Sequence, residues 1–301
     1  MSFKLLDGRA NPVLGEEDAP AEGVLSPFEG TDEGNDPLRL LGLPNAGSLL
    51  GGRDVRADDA AGPVVYDFLY RIRQALRVAC ETSQAWRRRI DGLADHDQRM
   101  LIDALGAGEV SAVINGGEDE GEVQIAESVL PGVWIGKAQT SDGRTGAQWI
   151  EVGDAPRTLR ELALRRPRVT IPIDALTPPR GAMNVMSVLA EVRERALNWR
   201  PGERNHVFNF TLLPMTPADS AYLAQVLGEA GARISSGGYG AARVIMTGVR
   251  HVWAVQYLNG LGTVILDTLE VGDIPDAVLA SPEDFEDSAS RLTDILEAYA
   301  Q

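Results

Sequence analysis

The chain has 301 residues, with 28 basic against 44 acidic side chains and a formal charge of −16. A chain of this length buries roughly three-quarters of its unfolded surface, so it forms a core without staples, and length alone fits about two domains. A single cysteine, Cys80, excludes an internal disulfide framework and an all-cysteine zinc or iron–sulfur site within one chain, and the acidity argues against nucleic acid, whose phosphates need a positive footprint.

No apolar run approaches the ~18 residues that span a bilayer, and Met1–Arg9 lack the apolar region of a signal peptide. The expectation is a cytoplasmic protein. Charge alternates in blocks: residues 1–62 carry −7, 63–90 carry +4, 91–156 carry −10, 157–204 carry +5 and 205–301 carry −8. Such blocks fit basic helices packed beside acidic sheets, or an acidic face that meets a basic partner.

Residues 1–62 hold five prolines, many glycines and acidic runs without apolar periodicity, which predicts a loosely held acidic arm. Order begins at Pro63, suited to a first helical turn. Val65, Phe68, Leu69, Ile72, Leu76, Ala79 and Cys80 then make one apolar stripe to about Thr82. A strand over 86–92 and a short helix capped by Asp95 follow, the helix ending at Gly106. Strands are predicted at 110–114, 123–129, 133–138 and 148–152. Residues 157–180 read as a linker.

The same order then recurs. A helix over 183–198 and a strand over 206–213 precede Thr216-Pro217-Ala218-Asp219, a capping-box start for a helix that ends at Gly228. Strands follow near 232–235, 242–247, 251–257 and 264–271. Ser281-Pro282-Glu283-Asp284 opens a C-terminal helix whose stripe includes Phe285, Ala289, Leu292 and Leu296. At one offset of 119, residues 133–156 match 252–275 at 8 of 24 positions, pairing Trp134 with Trp253, Glu151 with Glu270 and Asp154 with Asp273. The fold expected is therefore α+β and internally duplicated. A helix, a strand, a helix and four mainly antiparallel strands occupy 63–156 and again 181–275, and 276–301 supply the C-terminal helix.

Catalytic chemistry finds no constellation. His96, His206 and His251 are too far apart in sequence for a single-segment zinc motif, and no metal or cofactor is expected. Cys80 lies on an apolar helix face, as an inert thiol does. Glu151, Asp154, Glu270 and Asp273 could be paired carboxylates, yet each Val-Gly-Asp-x-Pro reads as a turn. Trp134 and Trp253 sit among valines in strands, where core packing is the simplest account. Ser235–Gly240 lies between two strands rather than before a helix, so it reads as a hairpin turn. A nucleotide- or small-molecule-binding enzyme would have to use Gly237–Gly240.

Several ordered motifs resemble the hydrogenase expression/formation family HupH/HyaF. They are Leu105–Ser111, Gly181–Asn184, Asn209–Thr216, Gly238-Tyr239-Gly240, Gly248–Trp253 and Leu279–Ala289. The resemblance implies an accessory chaperone for an uptake [NiFe] hydrogenase. Its expected partner is a hydrogenase structural subunit, above all the iron–sulfur small subunit precursor, or another accessory protein. It supplies no catalytic residues. Within it, Arg250 and His251 stand where the first half has Pro131 and Gly132. Equivalent positions share core needs, so a polar difference between them points to function. Arg250, His251 and Tyr239 are thus the candidate partner contacts. The alternative is that Arg250 pairs with a carboxylate and His251 caps a strand end.

Overall fold

The computed structural model describes residues 62–82, 85–115, 121–140, 142, 144–237 and 241–299. The acidic arm predicted over 1–62 lies outside them except for Gly62. In chain order the elements are α1 (Pro63–Thr82), β1 (Trp86–Arg89), α2 (Asp95–Leu105), β2 (Val110–Asn115), β3 (Glu122–Glu127), β4 (Val133–Gln139) and β5 (Thr145–Val152). Then come α3 (Arg157–Arg165), α4 (Val185–Asn198), β6 (His206–Asn209), α5 (Pro217–Leu227), β7 (Glu229–Ser236), β8 (Ala242–Thr247), β9 (Val252–Leu258), β10 (Val264–Val271) and α6 (Pro282–Tyr299).

The strands form one ten-stranded antiparallel sheet in the order β1-β5-β4-β3-β2-β7-β8-β9-β10-β6. That order reads the same from either end about the β2–β7 pair, where Ala112 faces Ile234 and Ile114 faces Ala232. The fold is α+β, as expected. Trp134 faces Glu151 across β4–β5, and Trp253 faces Glu270 across β9–β10.

Alternation along the strands sends neighbours to opposite faces. Val133 and Ile135 join a core with α1, α2 and α6 that includes Leu69, Leu76, Leu101, Phe285 and Leu292. Val252 and Ala254 join a core with α4 and α5 that includes Val188, Leu189, Val192, Leu223 and Leu227. Between these residues, Trp134, Trp253 and Val255 point the other way, into a third core beneath Ala155, Leu159, Ile274 and Val278. That third core draws on both halves, so one apolar body spans the sheet. Each buried indole removes roughly 200 Å² from water, on the order of 5 kcal/mol at ~25 cal/mol/Å².

Three local expectations change. Asp95 does not cap α2: it is the first helical residue, and the capping position is Ala94, which has no side-chain acceptor to offer. β6 stops at Asn209 rather than running to Leu213. The Asn209 carboxamide oxygen accepts the N–H groups of Thr211 (2.9 Å) and Leu212 (3.3 Å), a turn that competes with continued pairing. Residues 157–180, read as a linker, carry α3, whose Leu159 is fully buried. Arg168 N–H donates to the Gly248 carbonyl and the Arg168 carbonyl accepts from Arg250 N–H, both at 2.9 Å, which ties the connection to the second half.

Candidate functional site

The β8–β9 turn and its counterpart between β3 and β4 follow one plan. Ser128 Oγ accepts the Leu130 N–H at 3.1 Å, and Thr247 Oγ1 accepts the Val249 N–H at 3.2 Å. The Gly132 carbonyl accepts from Gly153 N–H at 3.0 Å, and the His251 carbonyl from Gly272 N–H at 2.8 Å. Both turns need one residue at positive φ. Gly132 has φ 83°, and a Cβ there would lie 2.3 Å from the Phe285 ring of α6. His251 takes the same place at φ 64° and is the one non-glycine residue at positive φ among those described. A side chain in this region costs on the order of 1 kcal/mol, so its presence calls for a compensating use.

That side chain helps to line a cavity of about 400 Å³ bounded by Arg160, Leu164, Trp199, Pro201, His251, Trp253, Gly272 and Asp273. The walls come from α3, the α4–β6 connection, the β8–β9 turn and the end of β10. The imidazole lies 4.6 Å from the Trp199 ring, tilted by 38°. Burial, with the Arg250 charge adding to it, holds the His251 pKa below its usual value against the opposing effects of the Gly272 backbone and Asp273. The ring is therefore neutral at pH 7.

Arg250 takes another direction. Its guanidinium donates to the Leu164 carbonyl at 2.6 Å, a favourable cation at the end of α3, rather than to the carboxylate foreseen as its alternative. Tyr239 lies outside the described residues. Sequence reasoning missed Trp199, Leu164, Pro201 and Arg160. The one readable signal was the polar pair at a position where the first half has glycine.

Asp154 and Asp273 accept hydrogen bonds at 2.8 and 2.9 Å from the next N–H, those of Ala155 and Ile274, as turn aspartates do. Arg160 of α3 joins the two turns, 2.5 Å from Asp154 and 3.3 Å from Asp273. Glu151 and Glu270 are buried and have separate partners. Glu151 accepts from Arg157 N–H at 3.2 Å and lies 3.7 Å from Arg87, while Glu270 accepts from Asn205 Nδ2 at 3.2 Å. Burial raises both pKa values.

The two tryptophans differ in one bond. Trp134 Nε1 donates to the Gly153 carbonyl at 2.9 Å. Trp253 is 3% exposed, yet its Nε1 has no acceptor among the described residues.

Cys80 is half-buried where α1 meets α6, 3.8 Å from the Pro282 carbonyl and 3.6 Å from Glu286. Burial, then the Glu286 carboxylate, raise its pKa, so it stays a thiol at neutral pH. Gly237 follows β7, and its N–H donates to the Glu109 carbonyl at 2.7 Å. The next described element is β8, so no helix start follows the glycine run; Gly238 to Gly240 lie outside the described residues. Among the described residues, no three His, Cys, Asp or Glu side chains are grouped to hold a metal, and no helix is long and apolar enough to cross a membrane.

A continuous antiparallel sheet backed by helices at both ends, with an aromatic-walled cavity at its second half, gives an α+β scaffold with one candidate site. The chain belongs to the HupH hydrogenase expression protein family, whose C-terminal conserved region matches residues 69–163 and 182–299. It is 42% identical over 213 residues to the hydrogenase expression/formation protein HupH of Rhizobium leguminosarum bv. viciae, covering 70% of this chain and 73% of that one. It is 43% identical over 204 residues to HoxQ of Cupriavidus necator, covering 68% and 70% of the two chains. To the hydrogenase-1 operon protein HyaF of Escherichia coli it is 32% identical over 207 residues, again 68% and 70%.

Proposed function

We propose that this protein is a cytoplasmic accessory chaperone in the maturation of a [NiFe] hydrogenase, acting by binding rather than catalysis, and that its client is the iron–sulfur small subunit precursor. The observation that carries the site is His251. A strained, neutral, ring-stacked histidine occupies a turn position that the first half fills with glycine, and it lines a cavity. Structural need alone would favour glycine there. Recognition supplies a reason for the side chain.

Arg250 is assigned a positioning role, holding the end of α3 at the cavity wall. Tyr239, adjoining the same half of the sheet in sequence, is retained as a partner contact to be tested. The acidic balance of the chain suits a basic client segment, because complementary potentials steer encounter.

Binding of purified small-subunit precursor, with the large subunit as a parallel analyte, tests the reading. The wild-type protein is expected to bind the small-subunit precursor at micromolar or better affinity; binding of the large subunit alone would reassign the client. His251→Gly is the informative variant. It relieves the positive-φ strain while loosening the unfolded chain by a similar amount, so its stability should stay within about 1 kcal/mol of wild type. Client affinity should nevertheless fall at least tenfold. Unchanged affinity would remove His251 from the interface.

A further inference from the structure

Helix α1 carries a second stripe beside the one that faces the core. Asp67, Tyr70, Arg71, Ala75 and Val78 share one helix face and wall a groove of about 490 Å³, with Trp86 of β1 on its other side. Tyr70 and Val78 are 42% and 43% exposed, and the half-buried Trp86 is held edge-on to Phe68 at 6.4 Å. The groove therefore has an apolar floor open to water. Its rim is positive. Asp67 accepts from Arg71 at 2.7 Å and also feels the charge of Arg88, so two guanidinium groups stand against one carboxylate. The surrounding residues 63–90 carry +4 in a chain of −16.

The complement of this surface is written in the same chain. Residues 16–36 hold eight acidic side chains and no basic one, with Val24, Leu25 and Phe28 among them. The more apolar stretch 38–43 carries Arg39 and no acid, which the arginines of the rim disfavour. Attachment favours the acidic segment over a separate partner. Gly62 directly precedes α1, and the groove follows α1 from Asp67 to Val78, about 16 Å at 1.5 Å per residue. Phe28 stands 34 positions before Gly62, a length of chain that can span roughly 110 Å, so it reaches any part of the groove. A tethered segment also acts at an effective concentration on the order of millimolar, at which a weak contact is enough.

We propose that the chain's own segment 16–36 docks in the α1–β1 groove. Val24, Leu25 and Phe28 lie against Tyr70, Val78 and Trp86, and the acidic side chains stand beside Arg71 and Arg88. The groove is thus an intramolecular binding surface in the first half, distinct from the His251 cavity in the second. It does not depend on the chaperone reading.

Two measurements on the full-length protein test the contact from both sides, because a coupling between two sites is reciprocal. The first follows indole cross-peaks of the ¹⁵N-labelled protein, assigned by Trp86→Phe and Trp134→Phe. The double variant Leu25→Asp, Phe28→Asp is expected to move the Trp86 peak and leave Trp134 in place, whereas Leu41→Asp moves neither. A Trp86 peak that stays put in the double variant, or moves only with Leu41→Asp, would overturn the docking. So would small-subunit precursor that shifts Trp86 equally in wild type and double variant, since the groove would then be open to a client.

The second reads the segment from the groove. Glutamyl endopeptidase cleavage after Glu29 is timed for wild type, Val78→Asp and Tyr70→Ser, with circular dichroism confirming the fold of each. Both substitutions fall on exposed positions of α1. When reclosing is fast, cleavage tracks the open population, so both variants should be cut at least about fivefold faster than wild type. Equal rates in wild type and both variants would show that the groove gives the segment no protection and would overturn the proposal.

Discussion

At the scale of single residues, the halves serve as internal controls for one another. Trp134 and Trp253 bury comparable indoles, but only the first has an acceptor among the described residues for its N–H. Trp134→Phe should therefore destabilise more than Trp253→Phe by about 1 kcal/mol, the net worth of one hydrogen bond, in urea titrations that leave the slope unchanged. Glu127 offers a second contrast, because its counterpart across the same register is Met246. Burial raises its pKa to about 7, with Asp284 and Glu109 adding to the effect against the Gly132 N–H that it accepts at 2.9 Å. The native chain thus holds this proton more tightly than the unfolded one. The stabilisation is complete below the unfolded value of 4.5 and is lost as pH rises through 7. Glu127→Gln keeps an acceptor for Gly132 but cannot titrate. It should match wild type near pH 4.5 and exceed it at pH 8 by up to about 3 kcal/mol, and parallel stability curves across that range would show that Glu127 titrates normally.

At the scale of elements, what the sequence made legible follows from how local the cause is. α1, α4, α5 and α6 declare themselves because apolar residues recur at helical spacing and caps stand at their ends: Thr216 and Asp219 form the capping box of α5, and Ser281 and Asp284 that of α6. α3 did not, because Leu159 and its few apolar neighbours sit among Arg157, Arg160, Arg165 and Arg166, and the burial that stabilises it comes from the distant third core. The cavity was illegible for the same reason, with walls contributed by four separated segments, whereas Arg250 and His251 could be singled out by comparing equivalent positions. We propose that this equivalence reflects a duplicated unit. Experimental structures of relatives should keep the symmetric strand order, with Asp154 and Asp273 at matching turns. Asp219 shows a connection that spacing alone could not reveal. It is fully buried, and one oxygen accepts the N–H groups of Met183, Asn184 and Val185 at 2.7 to 3.0 Å while the other accepts from Thr216, so one carboxylate starts both α4 and α5. Burial opposes its charge, but the donors from Thr216, Val185 and Met183 prevail and hold its pKa at about 2. Its contribution is present above the unfolded value of 3.8 and is lost as pH falls through 2. Asp219→Ala should cost about 3 kcal/mol at pH 7 by orphaning several buried donors, and the deficit should shrink toward pH 2.

At the scale of the whole molecule, the chain's last helix belongs to its first core. Phe285, Ala289, Leu292 and Leu296 of α6 pack with α1, α2, β4 and β5, and Ser288 Oγ donates to the Pro131 carbonyl at 3.0 Å. Arg291 reaches the Val129 carbonyl at 2.9 Å. The first half is therefore incomplete until the second has been made, and the β2–β7 pair and the third core join them again at the centre of the sheet. Two independent modules would show two unfolding transitions, each sensitive to its own mutations. This connectivity calls for one. Leu292 and Leu223 are both fully buried, the first in the core under α1 and the second in the core under α4. Leu292→Ala and Leu223→Ala should each cost roughly 2–5 kcal/mol, a large share of the 5–15 kcal/mol typical of a folded domain. Both are expected to lower a single transition, with calorimetric and van't Hoff enthalpies in agreement and tryptophan fluorescence coincident with circular dichroism. If Leu292→Ala splits off an early transition and leaves the remainder at the wild-type midpoint, the halves unfold separately and the shared core does not couple them.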